Sequence, residues 1–221
     1  MEFIVNRYPR SIAATAACLA SMFAFVLGSN SFALDVSGVK VDEKIRVNNQ
    51  ELVLNGSGIR YAAAGLVRVY VASLYLPQKR ASSAEMIALK GPKRMRLQFL
   101  REVNANDFSK GLLTGLRGNV SITEQQQHFD DLLKLGNIFG QVPSVKKGDS
   151  VEIDSVPGTG TVVYVNGKRV AEVFKDESFF FTILQIWLGA KPIESTLKPV
   201  LLGLTPSNDN SLINNRDRDR Y

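Results

Sequence analysis

The sequence predicts an α+β domain: a mostly antiparallel sheet backed by a layer of helices. Three observations carry this. Apolar segments of strand character recur at 36–54, 66–76, 94–101 and 161–173, several with strict alternation of apolar and polar residues. Segments of helical period fall between and after them, at 82–89, 104–116, 121–135, 176–189 and 194–202. Tight-turn signals at Pro157-Gly158 and Asn166-Gly167 join strand directly to strand, which makes those neighbours antiparallel.

In residues 36–54, Ile45 and Val47 alternate with charged residues, Asn48-Asn49 makes a turn, and Leu52 and Leu54 alternate again. Asn55-Gly56-Ser57-Gly58 reads as a flexible, turn-prone element. Residues 66–76 are apolar on both faces, as a central strand buried on two sides requires, and Pro77 ends it. Ser82-Ser83 caps a short helix carrying Met86, Ile87 and Leu89. In 94–101, Met95, Leu97 and Phe99 share one face, and Arg94, Arg96 and Gln98 the other. Asn104 or Asn106 caps a helix with Phe108, Leu112 and Leu116 at four-residue spacing. Gly111 and Gly115 fall inside it, each costing about 1 kcal/mol in propensity, so a close approach to that backbone is expected.

Ser121-Ile122-Thr123-Glu124 is a capping box. It is expected to open one longer helix through Leu135, with His128 exposed on its polar face. Residues 161–165 and 169–173 form a hairpin around Asn166-Gly167. The Gly158-Thr159-Gly160 turn lacks the Lys-Ser/Thr of a phosphate loop and leads into a strand, so nucleotide binding is not indicated. Asp176 caps a strongly apolar helix containing Phe179, Phe180 and Trp187, closed by Gly189.

The ends of the chain read differently. Arg7 and Arg10 precede an apolar run over 12–27, then Gly28-Ser29-Asn30 and Ser31-Phe32-Ala33. This is the pattern of a signal peptide occupying 1–33, with cleavage after Ala33. The run is shorter than the roughly 20 residues of a membrane span, which disfavours an uncleaved anchor. Cys18 lacks the leading Leu of a lipoprotein site. The mature chain is therefore expected to be periplasmic or secreted, without stable membrane insertion. Residues 34–203 form the domain, and 204–221, with alternating Arg and Asp, a disordered tail.

Of 221 residues, 45% are hydrophobic and 22% charged, with a net charge of +6. The positive charges are dispersed, so no nucleic-acid surface is indicated. Loss of the leader removes the one cysteine, and one histidine, His128, remains. Thiolate or multi-histidine metal sites are thereby excluded, while a histidine triad stays possible in principle.

Several motifs, in order, resemble the chalcone isomerase superfamily and its bacterial exported chalcone isomerase-like branch. They are Leu54-Asn55-Gly56-Ser57-Gly58-Ile59-Arg60, the run 69–76, 93–103, Lys146-Lys147-Gly148-Asp149, 157–161, Val165-Asn166-Gly167-Lys168 and Ile186-Trp187-Leu188-Gly189. The resemblance implies a curled antiparallel sheet with helices over one face and a cleft between, in the manner of an open-faced sandwich. In the plant isomerases that cleft closes a chalcone into a flavanone without metal or cofactor, and none is expected here.

Carried over by position, Arg60 matches the family arginine. Phe108 stands where the enzyme has its tyrosine, keeping the ring and losing the hydroxyl. Tyr70 falls at the threonine, Gly115 at the asparagine and Phe180 at the later Ser/Thr. Arg60 and Tyr70 are the candidate catalytic pair. Arg60, Tyr70, Phe108, Leu112, Gly115 and Phe180 are the expected ligand-binding set. A lost oxyanion donor costs about a hundredfold to a thousandfold in rate, so plant-type isomerase activity is not expected. The leading expectation is a domain that binds a small apolar anion, a fatty acid or aromatic acid, near Arg60. The alternatives are an isomerase or intramolecular lyase using Arg60 and Tyr70, and an envelope interaction protein with no ligand. The oligomeric state is left open.

Overall fold

Seven strands form one antiparallel sheet in a computed structural model that describes residues 33–63, 65–140 and 144–206. Across the sheet they are Lys168–Arg169 (β11), Gly160–Val165 (β10), Ser150–Val156 (β9), Lys93–Phe99 (β6), Val67–Leu76 (β5), Gln50–Ala62 (β4) and Lys44–Val47 (β3). Two small pairs stand outside it: the hairpin Ala33–Val36 (β1) with Val39–Asp42 (β2), and Val103–Asn104 (β7) with Ser144–Val145 (β8). The helices are Ser83–Ala88 (α1), Ala105–Asn119 (α2), Ile122–Gln127 (α3), Phe129–Gly140 (α4), Phe179–Leu188 (α5) and Leu197–Leu201 (α6). The fold is α+β, a curled antiparallel sheet with helices over one face.

Alternation along the strands divides the interior. Leu74, Met95, Leu97, Phe99, Val151, Ile153 and Val163 point into the main core, which α2, α4, α5 and α6 cover. Helix α5 supplies Phe179, Phe180, Ile183, Leu184, Ile186 and Trp187 to that core. It is apolar nearly all round because it is buried nearly all round. The opposite sheet face carries a second cluster, in which Val36 and Val41 of the β1–β2 hairpin join Leu52, Ile59, Val71 and Tyr75. Strand β5 thus needs apolar residues on both faces, which is how its sequence reads.

Most expected elements form, and the departures have local causes. Asn104, not Asn106, is the N-cap of α2, and the Ser121–Glu124 capping box forms at α3. The Asn166-Gly167 turn has positive φ at both positions, 50° and 72°, as a type I′ turn requires. Asn55–Gly58, expected as a turn, instead lies within β4 beside a register shift between Leu54 and Gly56. These residues serve packing there. A Cβ on Gly56 would overlap the Val200 carbonyl oxygen of α6, and buried Asn55 donates to the carbonyls of Arg80 and Leu201.

The single helix expected from 121 to 135 is two, broken at His128, and that histidine is buried at 2% exposure, not exposed. The break turns the ring inward against Phe179, with ring centroids 5.4 Å apart. The returning strand of the hairpin is only β11, followed by an isolated bridge from Thr161 to Phe174. Ser178, not Asp176, is the N-cap of α5, and the last helix is α6 alone. The expected signal peptide up to Phe32, and 207–221 of the expected tail, lie outside the described residues.

Candidate functional site

Arg60 and Tyr70 are register partners across β4 and β5, on the face that the helices cover. A register shift between Arg60 and Tyr61 follows at once, and such irregularities re-aim side chains. The Arg60 guanidinium carbon stands 5.8 Å from the centre of the Tyr70 ring, within cation–π range. Its Nε is buried and has no hydrogen-bond partner among the described residues. A buried donor left in that state carries a desolvation cost of about 1–3 kcal/mol, more when charged.

Tyr70 is itself buried, at 4% exposure. Its hydroxyl oxygen accepts a hydrogen bond from Trp187 Nε1 at 2.9 Å. Burial pushes the phenol up to about 12, against the opposing pull of the Arg60 charge and the Trp187 bond. At neutral pH the group is a neutral phenol that holds its proton tightly. Behind it, Tyr70 meets Phe99 edge-on at 5.6 Å, and Phe99 meets Phe108 at 5.5 Å.

Beside Arg60 and Tyr70 lies a cavity of about 40 Å³. Arg60, Tyr70, Phe108 and Leu112 line it together with Val103, Asp107, Gly111, Ile186 and Ile193. Four of the six expected site residues are therefore brought together. Gly115 is not part of the lining: it sits where α2 crosses α5, and a Cβ there would lie 2.7 Å from Ile186 Cγ2. Phe180 is fully buried in the core beside Phe181 and does not reach the cavity. Its position in a helix buried all round explains this. Asp107 and Ile193 were not anticipated. Nor was the Trp187–Tyr70 bond, although a buried indole N–H implies a nearby acceptor.

The volume limits what the site can hold. A water occupies about 30 Å³ of liquid, whereas ligand pockets run to about 300–1,000 Å³. The cavity has room for a carboxylate-sized group and no room for an acyl chain or a chalcone in this conformation.

His128 was the one residue that could complete a triad. Its Nε2 lies 3.2 Å from Ser178 Oγ, and its Nδ1 lies 3.8 Å from Asp176 Oδ2. The Ser178 hydroxyl has a competing acceptor: it donates to Asp176 Oδ1 at 2.7 Å, which draws its proton away from the imidazole that a nucleophilic serine would need as its base. The cluster ties the α3–α4 break to the start of α5. Gln127 adds to it by donating to Asp176.

The family model described as chalcone isomerase-like matches residues 33–203. No curated protein matches the chain. Among solved structures, a fatty-acid binding protein of Arabidopsis thaliana is similar, with a TM-score of 0.58 and 17% identity. That alignment covers 75% of this chain and 92% of that one, and at this identity it speaks for the fold. The chain belongs to the chalcone isomerase-like family.

Proposed function

We propose that this is an exported binding domain that takes the acid group of a small apolar anion on Arg60, without plant-type isomerase activity. The observation that carries the reading is the buried Arg60 Nε, without a hydrogen-bond partner among the described residues, beside a cavity whose walls are apolar or aromatic apart from Arg60 itself and Asp107. A guanidinium so placed gains a charge-assisted bond from any carboxylate that reaches it. The fatty-acid binding name of the similar Arabidopsis protein supports this class of ligand. Against catalysis stand Phe108, which has no hydroxyl, and Tyr70, whose hydroxyl is engaged by Trp187 and whose proton is held tightly. An acyl or aryl tail would have to part α2 from the sheet, and the Gly111 side of the cavity is where a tail would enter. A Cβ at Gly111 would meet only Ile193 Cδ1, at 3.8 Å.

The test is a calorimetric titration with trans-cinnamate and dodecanoate, on the purified chain and on Arg60→Gln. Binding weakened roughly tenfold or more in the variant, the scale of a bond to a charged group, is the expected result. Equal affinity for trans-cinnamate in the two proteins sinks the assignment to Arg60. The small cavity also favours a second reading, an interaction protein with no ligand. That reading gains if neither acid binds. A chalcone cyclisation rate above background, lost in Arg60→Gln, would restore the enzyme.

A further inference from the structure

A wider cleft than the one at Arg60 lies elsewhere in the domain. It is a trough of about 780 Å³ where the end of α6 meets β4, near the edge strand β3. This volume lies inside the range of small-molecule sites.

One wall is rigid. The α6 backbone is pressed onto β4: a Cβ at Gly56 would overlap Val200, and one at Gly203, whose φ is +68°, would lie 2.9 Å from the Asn55 carbonyl oxygen. Asn55 then fixes the opposite rim. Its Oδ1 accepts from the Arg80 backbone N–H at 2.7 Å, and its Nδ2 donates to the Arg80 carbonyl at 3.0 Å. Both bonds hold the Arg80 backbone at the mouth.

The lining divides by chemistry. Leu34 and Leu204, exposed at 41% and 58%, leave apolar surface in the trough, and the buried Leu54 and Val200 stand in its wall. Asn55 and Ser57 are engaged in internal hydrogen bonds. Lys44 is held by Glu51 at 2.7 Å. The cations left at the mouth are Lys79 and Arg80, the latter within the field of Glu85, and Glu43 is the one acid in the lining. A trough of mixed lining, with exposed leucines on one side and Lys79 and Arg80 outweighing the single acid Glu43, suits a molecule with an anionic head and an aliphatic tail.

We propose that this trough is a second binding site, for a single-chain amphipathic anion too large for the Arg60 cavity. The inference stands on the trough alone and does not rest on the reading of Arg60.

The probe is 11-(dansylamino)undecanoic acid, whose dansyl group exceeds the Arg60 cavity, titrated into the full chain with fluorescence detection. Three variants are compared with the parent: Lys79→Ala/Arg80→Ala, which removes the cations; Ala81→Trp, which blocks the mouth; and Arg60→Gln. Lys79, Arg80 and Ala81 lie outside the two cores, and circular dichroism checks that each of the three variants folds. The expected result is saturable binding, weakened roughly tenfold or more by the first two variants and unchanged by the third. No binding to the parent chain overturns the proposal. So does binding that the two trough variants leave intact, and so does binding that Arg60→Gln abolishes. Absence of binding leaves the assignment at Arg60 standing, because that reading is tested with the smaller acids, and loss of binding in Arg60→Gln would move this ligand to Arg60 as well.

Discussion

Gly115 and Gly111 sit one helical turn apart on α2, and their surroundings make opposite demands. At Gly115 a Cβ would come within 2.7 Å of Ile186 Cγ2 and 3.3 Å of Ile186 Cβ. The latter atom cannot swing away, because it is fixed to the α5 backbone. Gly115→Ala should therefore lower stability by about 1–3 kcal/mol through overpacking, despite a gain in helix propensity of about 1 kcal/mol. Gly111→Ala meets ordinary contact distance and should be neutral or slightly stabilising. Urea midpoints of the two variants check this, and equal shifts would contradict it. Both glycines are conspicuous in the sequence as misfits in a helix. Their difference is not, because it depends on which residue of α5 lies opposite each one. Arg60 shows the same limit. Its place after Asn-Gly-Ser-Gly-Ile marked it, but the narrowness of the cavity comes from how Phe108, Ile186 and Ile193 converge, and that is a matter of tertiary packing.

At the scale of elements, alternation made the sheet legible and left open what covers its second face. Arg94, Arg96 and Gln98 on β6 have the pattern of a solvated face. In the fold that face is largely covered, and β6 meets β9 through Arg94 Nε and Nη2, each donating to an Asp154 carboxylate oxygen at 2.6 Å. Asp154 is 1% exposed. Burial pushes its carboxyl up, while the Arg94 fork pulls it back. Next along the strands, Arg96 Nε stands 3.5 Å from Glu152 Oε1 in a looser pair. Removing one member of a buried pair strands the other, at about 3–5 kcal/mol. Arg94→Met should cost about that much in urea unfolding. The double variant Arg94→Met/Asp154→Leu should recover most of it, and a double variant no more stable than the single would show that the pair itself is stabilising. The limit has a physical source: period two tells which residues share a face, and nothing in it tells whether a hairpin from the start of the domain will cover that face. The same holds for His128. Its neighbours Gln125, Gln126 and Gln127 are polar, but the helix breaks there and the ring turns against Phe179.

For the whole molecule, the buried tyrosines set a limit on stability at high pH. Burial pushes the phenols of Tyr70 and Tyr75 up to about 12 each. One lies in the helix-covered core bonded to Trp187, the other on the opposite face, donating to the Asp42 carbonyl at 3.0 Å. A group whose pKa is raised in the folded state contributes stability that is present below its unfolded value, near 10, and is lost as pH rises through the folded value. Both clusters therefore weaken together between about pH 10 and 12. The expected loss is of the order of 2–3 kcal/mol for each tyrosine, at about 1.4 kcal/mol per unit. Lys93 acts in the opposite sense. Desolvation lowers its ammonium, so neutralising it in alkali favours the fold. Urea unfolding at pH 8 and pH 11.5 measures the net slope, and Tyr70→Phe and Tyr75→Phe assign it. Each variant should flatten the alkaline fall by its own share and remove a late phenolate absorbance near 295 nm. A fall unchanged in both variants would mean that the two phenols ionise without entering the linkage, and that the sheet opens locally around them before the domain unfolds.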